Sequence, residues 1–158
     1  MHSWIMQLSK RPIDEEDYIH EMDFIDGDFS YAMNEIMDYT QEIETSKQLE
    51  FLRWCGKRDG MFFNESDMTI AYDRRLFFNK AHEKFIELID TIFTWTLDDF
   101  ISRDSWSTIW KLNELYKDKS GIYIVCDDGI LCCEDEFVRN YAEDGTRYYV
   151  GNIMDYHW

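Results

Sequence analysis

The stretch Ile122–Glu134, IYIVCDDGILCCE, decides the fold. Two runs rich in β-branched and apolar residues, Ile122–Cys126 and Ile130–Glu134, flank Asp128-Gly129, a dipeptide that accepts the positive φ of a type I′ turn. The spacing predicts a β-hairpin over 122–134. A two-residue turn would set Asp127 against Ile130, Cys126 against Leu131, Val125 against Cys132 and Ile124 against Cys133. Cys132 and Cys133 then point to opposite faces. Cys126 and Cys133 become diagonal neighbours, roughly 7–8 Å apart, at or beyond the reach of an unstrained disulfide. No CxxC pair or convergent histidine accompanies them, as zinc would require. The three cysteines read as small hydrophobes with reduced thiols, a redox-sensitive pair being the alternative. No metal and no cofactor are expected.

Upstream, Ser3–Ser9 has the character of a strand and stops at Lys10-Arg11-Pro12, because proline cannot continue a ladder. Phe29, Ala32, Met33, Ile36, Met37 and Ile43 recur at helical spacing and predict an amphipathic helix over 29–43. Leu49–Cys55 and Met61–Tyr72, broken at Lys57–Gly60, predict strands around a turn. Helical spacing returns with Phe78, Ala81, Phe85, Leu88, Ile92 and Trp95, and an adjoining stripe of Ile86, Ile89, Phe93 and Leu97 makes the apolar face broad. The run Thr91–Thr96 is a point where this helix can break. A further helix, capped at Asp104 or Ser105, carries Trp106, Ile109, Trp110, Leu112, Leu115 and Tyr116. A short helix or loop over 135–143 and a last strand over 146–153 complete the chain. The expected fold is a single α+β domain over 1–158. In it an antiparallel sheet containing hairpin 122–134 packs against one or two long helices, about 74–101 and 105–119.

Composition supports an ordered core: 45% of residues are hydrophobic and 17% aromatic, with one proline and 7 glycines. No basic stretch leads into an apolar run at the N-terminus, and the most apolar stretch, 85–101, contains Glu87, Asp90, Asp98 and Asp99. A cytoplasmic location without membrane association is expected.

The search for catalytic motifs is negative: there is no glycine-rich phosphate loop, HExxH, GxSxG or calcium-loop spacing, although Asp23, Asp26 and Asp28 superficially suggest calcium. His20, His82 and His157 read as solvated or packed histidines. What stands out is charge. The formal net charge is -17, and two segments carry it: Ile13–Ser46 has twelve acids and no Lys or Arg, and Asp127–Thr146 has seven acids and one Arg. On a helix over 29–43, Glu35, Asp38 and Glu42 would line one face as a linear array, complementary to a basic groove that tracks phosphates. Such an excess of acids disfavours direct nucleic-acid binding.

The function expected on these grounds is a non-enzymatic acidic module that binds a basic protein partner, as a nucleic-acid-mimicking inhibitor of an anti-defence type or as an immunity-type inhibitor of a basic toxin. A cytosolic enzyme is the competing class, and a plain solvated acidic face is the reading without function. Partner contacts are expected from Asp14, Glu15, Glu16, Asp17, Glu21, Asp23, Asp26, Asp28, Glu35, Asp38 and Glu42 in the first segment, and from Glu134, Asp135 and Glu136 in the second.

Overall fold

A computed structural model of the chain describes residues 3–32, 38–117 and 120–157, and places seven strands in one sheet. In chain order these are β1 (Ser3–Ser9), β2 (Tyr39–Glu42), β3 (Met61–Asn64), β4 (Thr69–Tyr72), β5 (Ile122–Val125), β6 (Leu131–Cys133) and β7 (Arg147–His157). The helices are α1 (Glu21–Ile25), α2 (Thr45–Cys55), α3 (Arg74–Phe93), α4 (Leu97–Ile101), α5 (Arg103–Glu114) and α6 (Glu134–Asn140), with single 3₁₀ turns at Glu15–Asp17 and Ser30–Ala32. The α+β class expected from the sequence is the one found. Strand order is β3-β4-β7-β1-β5-β6, and β2 lies beside the last part of β7. Every pairing is antiparallel except β1 with β5.

β7 is long because it has work on both edges. Along one edge Arg147–Tyr149 pairs with β4 and Met154–His157 with β2; along the other it pairs with β1. The β1–β7 ladder shifts between Met6 and Leu8, so that Gly151 and Asn152 together oppose Gln7. Such a bulge resets the two-residue alternation. Tyr148 and Val150 before it and Ile153 after it consequently all face the larger core.

That core lies on one face of the sheet, where α2 contributes Phe51, Leu52 and Cys55, α6 contributes Phe137 and Val138, and the first turns of α3 add Phe77 and Phe78. On the other face Ile5, Val125, Leu131, Met154 and Tyr156 are covered by Ile19, Phe24, Phe29 and Ala32. The acidic segment is therefore a structural layer of the protein and not a tail.

Three expectations are corrected. Leu49–Cys55 is the end of a helix, because Gln48, Phe51, Leu52 and Cys55 recur at the spacing of one helical face, with a glutamine at its head. The helix over 29–43 is not formed in its described parts: Ser30–Ala32 is a 3₁₀ turn and Tyr39–Glu42 is a strand. β7 offers Tyr39–Glu42 an unpaired edge, and Asp38 N–H already donates to His157 O at 2.7 Å. A helix would have gathered Glu42 and Glu44 at its negative end. Glu35, Met33, Ile36 and Met37 lie outside the described residues. The hairpin forms, but its loop is Asp127-Asp128-Gly129: Gly129 N–H donates to Cys126 O, Cys126 N–H donates to Ile130 O, and Gly129 takes φ +68°. A type I turn closed by a left-handed glycine is favoured over the two-residue alternative here. The register moves by one, to Tyr123 with Cys133, Ile124 with Cys132 and Val125 with Leu131. Cys126 is then the diagonal neighbour of Cys132, not of Cys133.

Glu134 is also reassigned, since it is 0% exposed. At the first turn of α6 its Oε1 accepts from Arg58 Nη1 at 2.9 Å, and Arg58 Nη2 lies 2.7 Å from Oε2 in the same ion pair. The pair joins the residues after α2 to α6 and keeps Glu134 from any partner. Removing one member of a buried pair strands the other charge, so Glu134→Ala should lower unfolding stability by about 3–5 kcal/mol. The double substitution Arg58→Met with Glu134→Leu should lose less than that in urea titrations, because no unpaired charge remains.

Candidate acidic cleft

β1 and β5 are parallel, so the chain leaves both strands at the same end of the sheet. From there β1 runs on into the first acidic segment and β5 into the acidic hairpin loop. Their meeting is direct: Lys10 N–H donates to Asp127 Oδ2 at 3.1 Å. Between them opens a cleft of about 680 Å³, lined by Glu16, Asp17, Asp23 and Asp28 from the first segment and Asp127 from the second, with Arg11 and His20 as the basic side chains of the lining. Five acidic residues, four from one segment and Asp127 from a remote one, thus line one concavity.

Side-chain amides fasten the first acidic segment where it lines the cleft. Gln7, at the bulge, accepts from Ile19 N–H at 3.1 Å and from Asn152 N–H at 3.3 Å through Oε1, and donates to Asp17 O at 2.8 Å through Nε2. Asn152 Nδ2 donates to Ile19 O at 2.8 Å, and Gln48 Nε2 donates to Asn152 Oδ1 at 2.8 Å. Gly151 leaves the room this requires, since a Cβ there would sit 2.3 Å from Gln7 Oε1. Below the bracket, the Phe24 and Phe29 rings stack at 5.2 Å and seat the segment on the sheet. His20 starts α1, with its N–H donating to Asp23 Oδ2 at 2.7 Å, and its Nδ1 lies 3.0 Å from Glu42 Oε1.

The other expected contact residues are dispersed. Asp14, Glu15, Glu21 and Asp26 are exposed on the same segment outside the cleft lining, and Asp38 and Glu42 are exposed at and before β2. Glu136 is exposed on α6, and the half-buried Asp135 lines a separate cleft of about 730 Å³ between the end of α2, α3 and α5. That second cleft carries Lys57, Arg58, Lys80 and Lys117 beside its acids, with Lys80 paired to Asp59 and Lys117 to Glu114. It is close to charge balance, and the imbalance belongs to the first. Asp127 and the amide bracket are the participants that sequence spacing does not reveal. A parallel β1–β5 pairing is the missing information, and no local motif announces it.

Cys126 borders the acidic cleft. A hydrogen bond from Cys132 holds its thiol below the usual range, against burial and the charges of Asp127 and Asp128, and pushes Cys132 upward in turn. Burial, with the charge of Glu134 adding to it, pushes Cys55 up to about 12. None of the four cysteines is joined in a disulfide. Among the described residues no group of three or more His, Cys, Asp or Glu side chains is placed to hold a metal ion, and no helix is long and apolar enough to cross a membrane. Comparison with protein-family models, with curated proteins and with solved structures returns no match.

Gln7→Ala leaves Ile19 and Asn152 N–H without their acceptor, which should cost about 1–3 kcal/mol and raise amide hydrogen exchange at Ile19 ahead of the strands. Iodoacetamide at neutral pH should alkylate Cys126 ahead of the buried Cys132 and Cys55, as read by peptide mass mapping against time.

Proposed function

We propose that the protein acts by stoichiometric binding, receiving Lys or Arg side chains of a basic protein partner in the cleft between the first acidic segment and the hairpin loop. The observation that carries this reading is the convergence of Glu16, Asp17, Asp23, Asp28 and Asp127 on one concave surface with a single arginine in its lining. Carboxylates held at one site by an uncharged bracket keep their charge available to an incoming cation. Such a surface steers a cationic partner and excludes anionic ones. The volume is that of a pocket for a few side chains, not of a groove that swallows a whole strand.

A partner that handles nucleic acid, with its closely spaced Lys and Arg, meets this requirement, and blocking its phosphate-binding surface is the mode of action we assign. A helical row of Glu35, Asp38 and Glu42 adds nothing to this reading, since Glu42 lies in a strand. The cleft alone supports it.

The test is affinity capture from host lysate by the wild-type chain and by the variant Glu16→Gln, Asp17→Asn, Asp28→Asn, with matched melting curves. The wild type should retain a protein of basic composition at low salt and release it at high salt, because exposed charges are screened over about 10 Å at 0.1 M. The variant should bind about tenfold more weakly or worse, at about 0.5–1 kcal/mol per exposed pair. Equal retention by a normally folded variant sinks the reading.

A further inference from the structure

α3, α4 and α5 form a helical hairpin whose outer face is covered by none of the described residues. Phe85 meets Tyr116 edge-on at 6.5 Å, and Ala81 and Phe85 share a small cavity with Leu115 and Tyr116, so the end of α5 returns beside the first half of α3 and the two helices run antiparallel. Their mutual contact uses the inward stripe of α3 that includes Ala81, Phe85 and Leu88. Leu88 is the one buried residue of α3, and α5 has none.

The apolar residues left outside are large. Phe93 is 83% exposed, Leu97 75% and Trp106 72%, and Ile86, Ile109 and Trp110 are exposed with them. Phe100 and Ile101 of α4 extend the surface to the tip. At about 100° per residue, Ile86 and Phe93 stand roughly 120° around α3 from its inward stripe, and Trp106, Ile109 and Trp110 stand about as far around α5 in the same rotational sense. In antiparallel helices the same rotation turns both stripes to one side of the pair. The four aromatics Phe93, Phe100, Trp106 and Trp110 alone expose roughly 400–700 Å², which matches or exceeds the largest apolar patch of an ordinary monomer and approaches the roughly 800 Å² that each partner contributes to a standard interface.

Charge identifies the occupant. Residues 74–117 hold seven bases and seven acids, so this hairpin is neutral while the rest of the chain carries the entire -17. Two copies can meet here without the repulsion they would suffer elsewhere. The neutrality is also polarised along the hairpin. At the base, residues 74–84 and 105–117 carry six bases against Glu83 and Glu114; at the tip, residues 85–104 carry five acids against Arg103. An antiparallel crossing sets the positive base of one copy against the negative tip of the other, twice, as two-fold symmetry requires. A lipid surface fits less well, because the acidic tip would have to enter an anionic headgroup layer.

We propose that this face is a homodimer interface in which two copies of the chain lay their α3–α5 hairpins together about a two-fold axis, tip against base. The inference is independent of the acidic cleft. Sedimentation equilibrium of the full chain should give twice 19.2 kDa at micromolar concentration. Phe93→Ser with Trp106→Ser should return it to the monomer mass with an unchanged circular dichroism spectrum. Orientation is read by charge reversal: Arg75→Glu with Lys117→Glu, or Asp90→Lys with Asp98→Lys, should each weaken the dimer at least tenfold, and all four together should restore it. Failure of the aromatic variant to fold leaves the reversal and its rescue to decide. A wild type that stays monomeric, with or without binding to anionic vesicles, overturns the proposal, as does a dimer that ignores both sets of substitutions.

Discussion

The Gln7 amide, set at the bulge where Gly151 and Asn152 oppose it, is the contact on which both the sheet and the cleft depend. Without the extra residue in β7, the alternation that buries Tyr148 and Val150 would bring Asn152 into the core and turn Ile153 away from it. With it, Asn152 is turned toward the layer beneath, where its side chain bonds Ile19 O and receives Gln48. Gln7 and Asn152, the latter held by Gln48, thereby satisfy backbone groups of a segment that has little regular structure of its own. Buried backbone groups left unbonded there would each cost about 1–3 kcal/mol, comparable with a large fraction of a domain's stability.

Using amides for this purpose has an electrostatic consequence. A segment with twelve acids and no Lys or Arg cannot be fastened by its own charges without either burying carboxylates or recruiting cations from the rest of the chain. The bracket does neither. Apolar residues such as Phe24 and Phe29 face the sheet, neutral amides fix the backbone, and the segment's acidic side chains among the described residues stay exposed or half-buried. Glu134 shows the contrasting solution: an acid in the core, fully enclosed, made tolerable by an arginine that faces both of its oxygens. The same residue type is structural in one acidic segment and superficial in the other, and burial rather than sequence position decides which.

Much of the fold is legible in the sequence where local physics and tertiary packing agree. β1 ends before Pro12 as its residues predict, α3 breaks at the β-branched run near Thr94 and Thr96, and the hairpin sits on its glycine. The failures share a cause. Gln48 at the head of an apolar stripe disguises α2 as a strand, although that polarity serves β7; Tyr39–Glu42 continues a helical pattern but is captured by a free strand edge at the far end of the chain. The hairpin's loop length could not be chosen from Asp127-Asp128-Gly129 because both turn types accept a glycine there. For the cleft, the acids of the first segment were visible as composition, while Asp127 joins them only through the parallel β1–β5 pairing, which leaves no periodic trace.

Charge segregation sets the two proposed surfaces apart. Placing all of the -17 outside the α3–α5 hairpin leaves one neutral apolar region, which is what self-association needs, and keeps the acidic cleft on a body that repels its own copies. A dimer joined through the hairpins would carry two clefts whose mutual repulsion is relieved by distance along helices about 30 Å in length. Two identical acidic sites on such a dimer would favour a partner that is itself two-fold or that presents repeated cationic patches, because the second engagement is intramolecular and gains from effective concentration without any new contact. Many nucleic-acid-handling proteins are two-fold for the same geometric reason that their targets are. Matching symmetry would then let modest, salt-sensitive single-site contacts act together as a firm block.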